Sequence, residues 1–167
     1  MRDIEILIKK FNLVPHPEGG YFKETYRSLG TISKDALPED YTSERNYSTG
    51  IYFLLSSDTF SAFHKIKQDE IWHFYTGSPL KLFMISDQGD YSEQIIGTDF
   101  ESGQLPQFVV PGGYWFAAKS LTPQGYSFVG CTVSPGFDFE DFILPSQDEL
   151  LKKFPQHEKI IQELTRT

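Results

Sequence analysis

The spacing of hydrophobic residues changes from helical to strand-like after the first twenty residues of the chain. Ile4, Leu7, Ile8 and Phe11 recur at helical intervals, which predicts a short amphipathic helix over about residues 3–12. The sequence that follows consists of short runs rich in Tyr, Phe, Ile, Val and Thr, bounded by Gly, Pro, Asp or Ser. Many short strands at regular spacing are typical of a β-sandwich or a β-barrel. The predicted strands are 21–28, 49–55, 62–65, 70–75, 80–85, 91–96, 107–110, 115–118, 126–133 and roughly 141–144.

Two segments depart from this strand pattern. Residues 29–46 form one long polar stretch, which is either a lid over a pocket or a disordered excursion. A capping box at 146–149 predicts a C-terminal helical segment over about 146–165, interrupted at Pro155. The 167 residues contain no linker or repeat, so they are predicted to form one domain with its barrel over about residues 20–144.

Charge and composition exclude several classes of protein. The chain has 15 basic and 23 acidic residues, a net charge of −8, which disfavours nucleic acid and membrane partners. Its N-terminus has acidic residues where a signal peptide needs an apolar core, and no apolar run approaches the length of a membrane span. The single cysteine, Cys131, cannot form an internal disulfide. These features predict a cytoplasmic protein.

The most informative stretch is residues 60–77, which reads as two strands joined by a polar turn. Alternation along a strand places His64 and Ile66 on one face, and Glu70, Trp72 and Phe74 on one face of the next strand. If both faces point inward, a histidine and a carboxylate meet among aromatic side chains. This stretch resembles the first motif of the cupin superfamily, His-x-His, three or four residues, Glu, six residues, Gly. His64 and Glu70 match it, whereas Ile66 stands at the second His.

A second stretch resembles the other cupin motif, Pro-x-Gly-x-x-His. Pro111 and Gly113 match it, and Phe116 stands where the motif has His. The strings at 16–22, 69–74 and 109–118 are similar to those of an uncharacterised RmlC-like branch of cupins, Cupin_5. The resemblance implies an all-β jelly-roll barrel with short N- and C-terminal helices, a homodimer, and no established reaction.

The two replaced positions determine what is predicted about a metal. Catalytic metal sites normally use at least three protein ligands, and only His64 and Glu70 of the motif remain. We therefore predict no metal and no other cofactor; the alternative is one divalent ion held by His64 and Glu70. His73 could join it only if a β-bulge turned its side chain inward.

Acid–base chemistry is the predicted function of the remaining pair. A carboxylate beside an imidazole favours the charged ring, which moves the pKa of the histidine toward neutrality and lets it shuttle protons. The resemblance to sugar epimerases of the RmlC type, which use a His base and a Tyr acid, implies an epimerase or isomerase. The predicted catalytic residues are His64, Glu70 and Tyr126, with Tyr114 as the other possible acid. The predicted ligand-binding residues are Trp72, Phe74, Tyr114 and Phe116.

The ligand is predicted to be a small organic molecule that resembles a sugar nucleotide or a keto acid. Alternatives are a metabolite-binding protein without catalysis, a metal-dependent dioxygenase or hydrolase with a reduced ligand set, and a purely structural role for His64 and Glu70. The turn at residues 16–20 either shapes the backbone only or closes one end of the barrel. Apolar residues on both faces of 71–75 predict a homodimer that covers the outer face.

Overall fold

Short antiparallel strands dominate the computed structural model, which describes residues 2–166. The strands are β1 Val14–Pro15, β2 Tyr21–Arg27, β3 Thr31–Ile32, β4 Arg45–Asn46, β5 Thr49–Ser56, β6 Ser61–His64, β7 Asp69–Gly77, β8 Leu80–Ile85, β9 Tyr91–Ile96, β10 Gln107–Val110, β11 Trp115–Ser120 and β12 Tyr126–Ser134. The α-helices are α1 Arg2–Phe11, α2 Gln147–Lys153 and α3 Glu158–Leu164. None of these helices is long and apolar enough to cross a lipid bilayer.

Two sheets face each other across the core. The larger sheet has the strand order β1-β2-β5-β12-β7-β10, and the smaller has the order β6-β11-β8-β9. Strands β3 and β4 form a separate two-stranded ribbon. This is the all-β architecture that the strand pattern predicts.

Alternation along each strand separates the inner core from the outer layers. In β8, Leu82 and Met84 point between the sheets, where they pack with residues such as Phe53 and Val129 of the larger sheet. Their neighbour Phe83 points outward. One strand therefore supplies two hydrophobic clusters, because its successive side chains leave opposite faces.

The helices cover parts of the two outer faces. Leu150 of α2 and Ile161 of α3 pack on the outer face of the smaller sheet, against Phe63 and Trp115. At the other end of the chain, α1 packs on the outer face of the larger sheet, where Phe11 stacks on Phe128 with ring centroids 5.4 Å apart. The helices thus leave the inner faces free to form a cavity.

The strand predicted at about 141–144 is wrong. Phe139–Asp141 form a short 3-10 turn, which begins where the side chain of Asp138 accepts a hydrogen bond from the backbone of Glu140. After this turn, Ile143 makes only an isolated bridge to Lys65. The capping turn and the inward direction of the aromatic residues around it override the strand pattern in this segment.

The long polar stretch at 29–46 is ordered around the ribbon of β3 and β4. Arg45 in β4 is buried, and its guanidinium donates two hydrogen bonds of 2.8 Å to the carboxylate of Asp141. Gln68 donates a third, 2.7 Å long, to the same carboxylate. The stretch therefore braces the segment after β12 and contributes no side chain to the cavity.

Candidate functional site

A cavity of about 200 Å³ lies between the sheets, along β2 from Phe22 to Arg27. Its walls come from β2, β5, β6, β7 and β12, from the turn before β2, and from residues 137–142, which we call the aromatic wall. The six largest apolar side chains that line the cavity are Phe22, Phe53, Trp72, Phe137, Phe139 and Phe142. Its exposed surface is mostly apolar, as in many small-molecule sites, and several polar and charged side chains also line it.

The turn at residues 16–20 places two polar side chains in this cavity. Gly19 has a φ of 115°, a conformation that side chains other than glycine rarely adopt, and the backbone there packs against the carbonyl of Phe60. The carbonyl of Glu18 accepts a 2.8 Å hydrogen bond from the amide of Ala62, which joins the turn to β6. With the backbone held in this way, the side chains of His16 and Glu18 point into the cavity.

An irregularity in β6 brings two of its side chains to Glu18. Phe116 of β11 pairs with His64 and Ala118 pairs with Ser61, so three steps along β6 match two steps along β11. The extra residue puts Ser61 and His64 on the same side of the strand, although they are three positions apart. Ser61 donates a 2.9 Å hydrogen bond to Glu18 Oε1, and His64 Nε2 lies 3.0 Å from Glu18 Oε2.

His64 and Glu18 share one proton, and its position follows from the hydrogen bonds. His64 Nδ1 lies 2.8 Å from the carbonyl oxygen of Ala62, which can only accept, so Nδ1 carries a hydrogen. Burial lowers the pKa of His64 to about 3, so that its ring is neutral and Nε2 is an acceptor. Burial, with a smaller contribution from the charge of Glu70, raises the pKa of Glu18 well above its usual value. Protonated Glu18 therefore donates to His64 Nε2.

A second imidazole lies on the other side of the same carboxyl group. His16 Nδ1 is 3.5 Å from Glu18 Oε2 and accepts a 3.3 Å hydrogen bond from the backbone amide of Glu18. Burial lowers the pKa of His16 to about 4, so this ring is also neutral near pH 7. The carboxyl of Glu18 thus stands between two neutral imidazoles of opposite tautomer, of which His64 is the nearer at 3.0 Å.

Glu70 contributes a separate carboxylate to the cavity. It lies on the inner face of β7 and is only 8% exposed. Burial raises its pKa to about 7, an effect that the nearby thiol of Cys131 and indole of Trp72 partly oppose. The indole N–H of Trp72 nevertheless meets no group of residues 2–166 in hydrogen-bonding geometry.

The partner of His64 differs from the one that the sequence predicts. Within the described residues, the carboxylate in contact with His64 is that of Glu18, whereas Glu70 reaches the cavity from the opposite sheet. The sequence predicts a pKa of His64 moved toward neutrality, whereas burial lowers it and outweighs the raising effect of the hydrogen bond to the carbonyl of Ala62.

The other predicted site residues fall into three groups. Trp72 lines the cavity. Phe74, Tyr114 and Phe116 belong to the inner core around it, and the ring of Phe116 lies 4.1 Å from that of His64. Tyr126 packs under α1 on the outer face of the larger sheet, so the structure does not bring it to the cavity.

His73 points away from the cavity, as regular alternation requires. Its Nε2 lies 2.9 Å from Thr132 Oγ1, and burial lowers its pKa. The bulge in β7 falls two residues later: Phe74 pairs with Val129 and Thr76 with Phe128, which leaves Tyr75 unpaired. The β-bulge that would have turned His73 inward is therefore in the wrong place to do so.

The side chains present do not fit a cupin metal site. Ile66 and Phe116 are apolar core residues at two of the four ligand positions. His64, at a third position, already directs one ring nitrogen to a carbonyl oxygen and the other to Glu18. Within residues 2–166 no group of three His, Cys, Asp or Glu side chains is arranged to hold a metal ion.

Sequence reasoning missed the acidic half of the site and its aromatic wall. The string at 16–22 was the available signal for Glu18, since it contains a histidine and a glutamate beside two glycines that fix a turn. The aromatic wall was also visible as Phe137, Phe139 and Phe142, close together in sequence. Neither signal shows by itself that the two segments meet, because they are more than a hundred residues apart.

Comparison with known proteins identifies the family to which this chain belongs. The sequence profile Cupin_5, described as "Cupin superfamily (DUF985)", matches residues 5–145. The uncharacterized protein YML079W of Saccharomyces cerevisiae is 35% identical over 157 residues, which cover 88% of this chain and 78% of the yeast protein.

Solved structures show the same fold. A hypothetical protein from Leishmania major has a TM-score of 0.89 at 35% identity, over 98% of both chains. Protein SO0799 from Shewanella oneidensis has a TM-score of 0.86 at 40% identity, over 97% of this chain and 96% of that one. An oxalate decarboxylase of Bacillus subtilis is more distant, with a TM-score of 0.54, 12% identity, and coverage of 94% of this chain and 38% of the enzyme. At that identity the likeness shows the fold alone, and the predicted jelly-roll architecture is confirmed.

Proposed function

This chain belongs to the Cupin_5 family of the cupin superfamily, and we propose that its cavity binds a small organic molecule and moves a proton on it. The reaction would be an epimerisation or isomerisation that needs no metal. The observation that carries the proposal is the 3.0 Å contact between Glu18 Oε2 and His64 Nε2 inside the cavity. In the absence of a ligand these two groups satisfy each other, and a ligand that enters between them meets one acid and one base.

The proposed step uses both members of the pair. The carboxylic acid of Glu18 donates its proton to a carbonyl oxygen of the ligand, while His64 Nε2 removes a proton from the adjacent carbon. A C–H bond breaks and an O–H bond forms, giving an enol, and return of the proton to a different face or carbon gives the isomer. No oxidant, reductant or second substrate is required, and the pair recovers its proton at the end.

Two features of the cavity support such a step. The walls are aromatic, so they exclude water and strengthen the interaction of the ligand with the few polar groups. His16 lies on the far side of Glu18 and is neutral, so it can accept or return a proton when the pair is disturbed. If Glu18 and His64 served only to satisfy each other's buried polar atoms, His16 would not be needed beside them.

The test is proton exchange between solvent and ligand. The protein is incubated in D2O with a panel of small reducing sugars, amino sugars and keto acids, and deuterium incorporation at carbon is followed by NMR. Glu18→Gln keeps a donor toward His64 but cannot give up a proton, so exchange is expected to fall by about 10²-fold or more. Glu101→Gln, in an exposed turn, is the control and should exchange like the parent. Equal exchange in the Glu18→Gln and parent proteins would refute the proposal.

A binding function without catalysis is the second candidate. The cavity favours it in one respect, since six large aromatic side chains in its lining supply contact area for a ligand. Under this alternative a ligand stabilises the protein but is recovered without deuterium after long incubation. The same experiment therefore separates the two functions.

A further inference from the structure

We propose that the cavity selects a ligand with a protonated amine and that Glu70 binds its ammonium group. This inference rests on the proposed function only in that both place an organic ligand in this cavity. It assigns the chemical class of the ligand, and it also gives Glu70 a role in binding.

Glu70 is a buried carboxylate without a charged partner. Its residue is 8% exposed, its side chain lines the cavity, and no Lys, Arg or His of residues 2–166 forms an ion pair with it. Its neighbours in the wall are the thiol of Cys131 and the indole of Trp72. A buried acceptor that faces an open cavity and lacks a strong donor is stabilised by a donor that the ligand brings, and a positively charged donor gives the strongest such bond.

The charges around the cavity oppose an anionic ligand. Four carboxyl groups line it: Glu18 is uncharged, Glu24 is paired with Arg27, and Glu70 and Asp138 form no ion pair within residues 2–166. Both lining histidines are neutral near pH 7, because burial lowers the pKa of each. A phosphate or carboxylate would therefore enter a cavity whose fixed charge has the same sign.

The cation in the lining, Arg27, is already engaged. Its Nε and Nη2 donate to the two carboxylate oxygens of Glu24 at 3.0 and 2.8 Å. Its Nη1 donates to Asn46 Oδ1 at 2.8 Å, and Nη2 also donates to the carbonyl oxygen of Phe137 at 3.0 Å. These four hydrogen bonds use most of the about five N–H donors of the guanidinium group, so Arg27 has little capacity left to bind an anion.

The aromatic wall adds attraction for a cation. The rings of Phe22, Phe139 and Phe142 pack around His16 in the cavity lining, and Phe137 packs against Phe139 and Phe142. The face of an aromatic ring attracts an organic ammonium group. An aromatic enclosure that ends in a buried carboxylate is the arrangement expected for an amine.

The size of the cavity limits the ligand to one small ring or a chain of similar volume. Its volume of about 200 Å³ lies below the range of roughly 300–1,000 Å³ that is usual for drug-sized ligands. A sugar nucleotide would leave most of its surface outside. An amino sugar or a small aromatic amine has the right size.

Calorimetric titration with three probes of matched shape tests the inference: benzylamine, benzyl alcohol and benzoate. The parent protein should bind benzylamine most tightly and benzoate least. Glu70→Gln keeps the shape of the side chain but removes its charge, so affinity for benzylamine should fall at least about tenfold while affinity for benzyl alcohol stays the same. Glu101→Gln should bind all three like the parent.

Two results would overturn the inference. One is a parent protein that binds benzylamine no better than benzyl alcohol or benzoate, which includes the case of no detectable binding. The other is a folded Glu70→Gln variant with unchanged affinity for benzylamine. The proton-exchange test depends on Glu18→Gln, and the amine test depends on Glu70→Gln. Failure of the proton-exchange test and failure of the amine test are thus seen in different variants.

Discussion

In Glu18, His64 and Glu70, burial is the largest influence on the protonation state, and it outweighs the hydrogen bonds that oppose it. All three are at most 8% exposed, so each is driven toward its uncharged form. The result is a protonated acid facing a neutral imidazole, and a second carboxyl group whose pKa of about 7 lies near physiological pH. A catalytic or binding group with such a pKa responds to small changes in its surroundings.

The raised pKa of Glu70 predicts a specific pH dependence of stability. Below about pH 4.5 the group is protonated in both the folded and the unfolded chain and contributes no difference. Between that pH and about 7 the unfolded chain releases the proton while the folded chain keeps it, so the free energy of unfolding falls as pH rises. Glu70→Gln lacks this loss. Its stability relative to the parent should rise between about pH 5 and pH 8 by up to about 3 kcal/mol, measured by urea unfolding. Parallel pH profiles for the two proteins would contradict the assigned burial.

At the level of elements, the turn before β2 holds the site together. Gly19 and Gly103 both have positive φ, at 115° and 77°. A Cβ on Gly19 would overlap the carbonyl oxygen of Phe60, whereas a Cβ on Gly103 would meet nothing within 4 Å. Alanine substitutions at these two glycines therefore separate the cost of backbone strain from the cost of a steric clash.

Gly19→Ala is expected to cost more stability than Gly103→Ala. Each substitution should cost roughly 1–2 kcal/mol of stability, because alanine must adopt the left-handed conformation. Only Gly19→Ala must also displace the turn, since its Cβ would overlap the carbonyl oxygen of Phe60. The displaced turn should weaken the contact between Glu18 and His64, which proton exchange would report. The measurement is thermal unfolding of both variants, and equal costs would show that the turn is not fixed against β6.

A buried ion pair anchors the aromatic wall to the ribbon of β3 and β4. The side chains of Arg45 and Asp141 are 1% and 0% exposed and form a bidentate pair. Burial by itself raises the pKa of Asp141, but the hydrogen bonds of Arg45 and Gln68 hold it below its usual value. The segment that carries the aromatic wall is thus fixed by a buried ion pair.

Asp141→Asn should destabilise the protein by about 3–5 kcal/mol, because it leaves the buried guanidinium with only the exposed carboxylate of Glu140 as a countercharge. The rate of backbone amide hydrogen exchange should also rise within residues 137–142, because the aromatic wall is no longer anchored. The control is Asp87→Asn, which breaks an exposed pair with Lys153 at 2.8 Å. That change should cost less than about 1 kcal/mol. Similar costs for both variants would be inconsistent with an anchoring role.

The sequence predicted the elements better than it predicted the site. Strands β8 and β9 have the predicted bounds, and in β8 the bounds follow from an apolar run that is buried on both faces. Three decisive features leave no such pattern: the bulge in β6 that aligns Ser61 with His64, the approach of the turn at 16–20 to that strand, and the degree of burial at each carboxyl group. These features depend on contacts between distant segments, so the sequence indicated His64 and Glu70 but not the partner of either.

At the scale of the whole molecule, the outer face of the larger sheet is covered only in part. Helix α1 covers one portion, while Tyr75 and Val109 remain 50% and 44% exposed beside half-buried Ile71. A second copy of the chain would cover this face, as the sequence analysis predicts for a homodimer. The prediction concerns assembly only, since the cavity lies on the opposite, inner face of the sheet.

Light scattering at micromolar concentration measures this prediction. The parent chain should have the mass of a dimer, and Val109→Lys should shift it toward a monomer by placing a charge on the face. Leu29→Lys, at a fully exposed position on the polar stretch, should remain dimeric. A monomeric parent would contradict the predicted assembly without affecting the site.

The central claim is that Glu18 and His64 share a proton as a neutral acid and a neutral imidazole. Nitrogen-15 NMR of the histidine side chains measures this directly, with the His64 signals assigned by their loss in His64→Gln. Between about pH 5 and pH 8 the account predicts a neutral His64 ring with its hydrogen on Nδ1, whereas an ordinary histidine titrates near 6.5. A charged His64 ring in this range, or a neutral ring with its hydrogen on Nε2, would contradict the account.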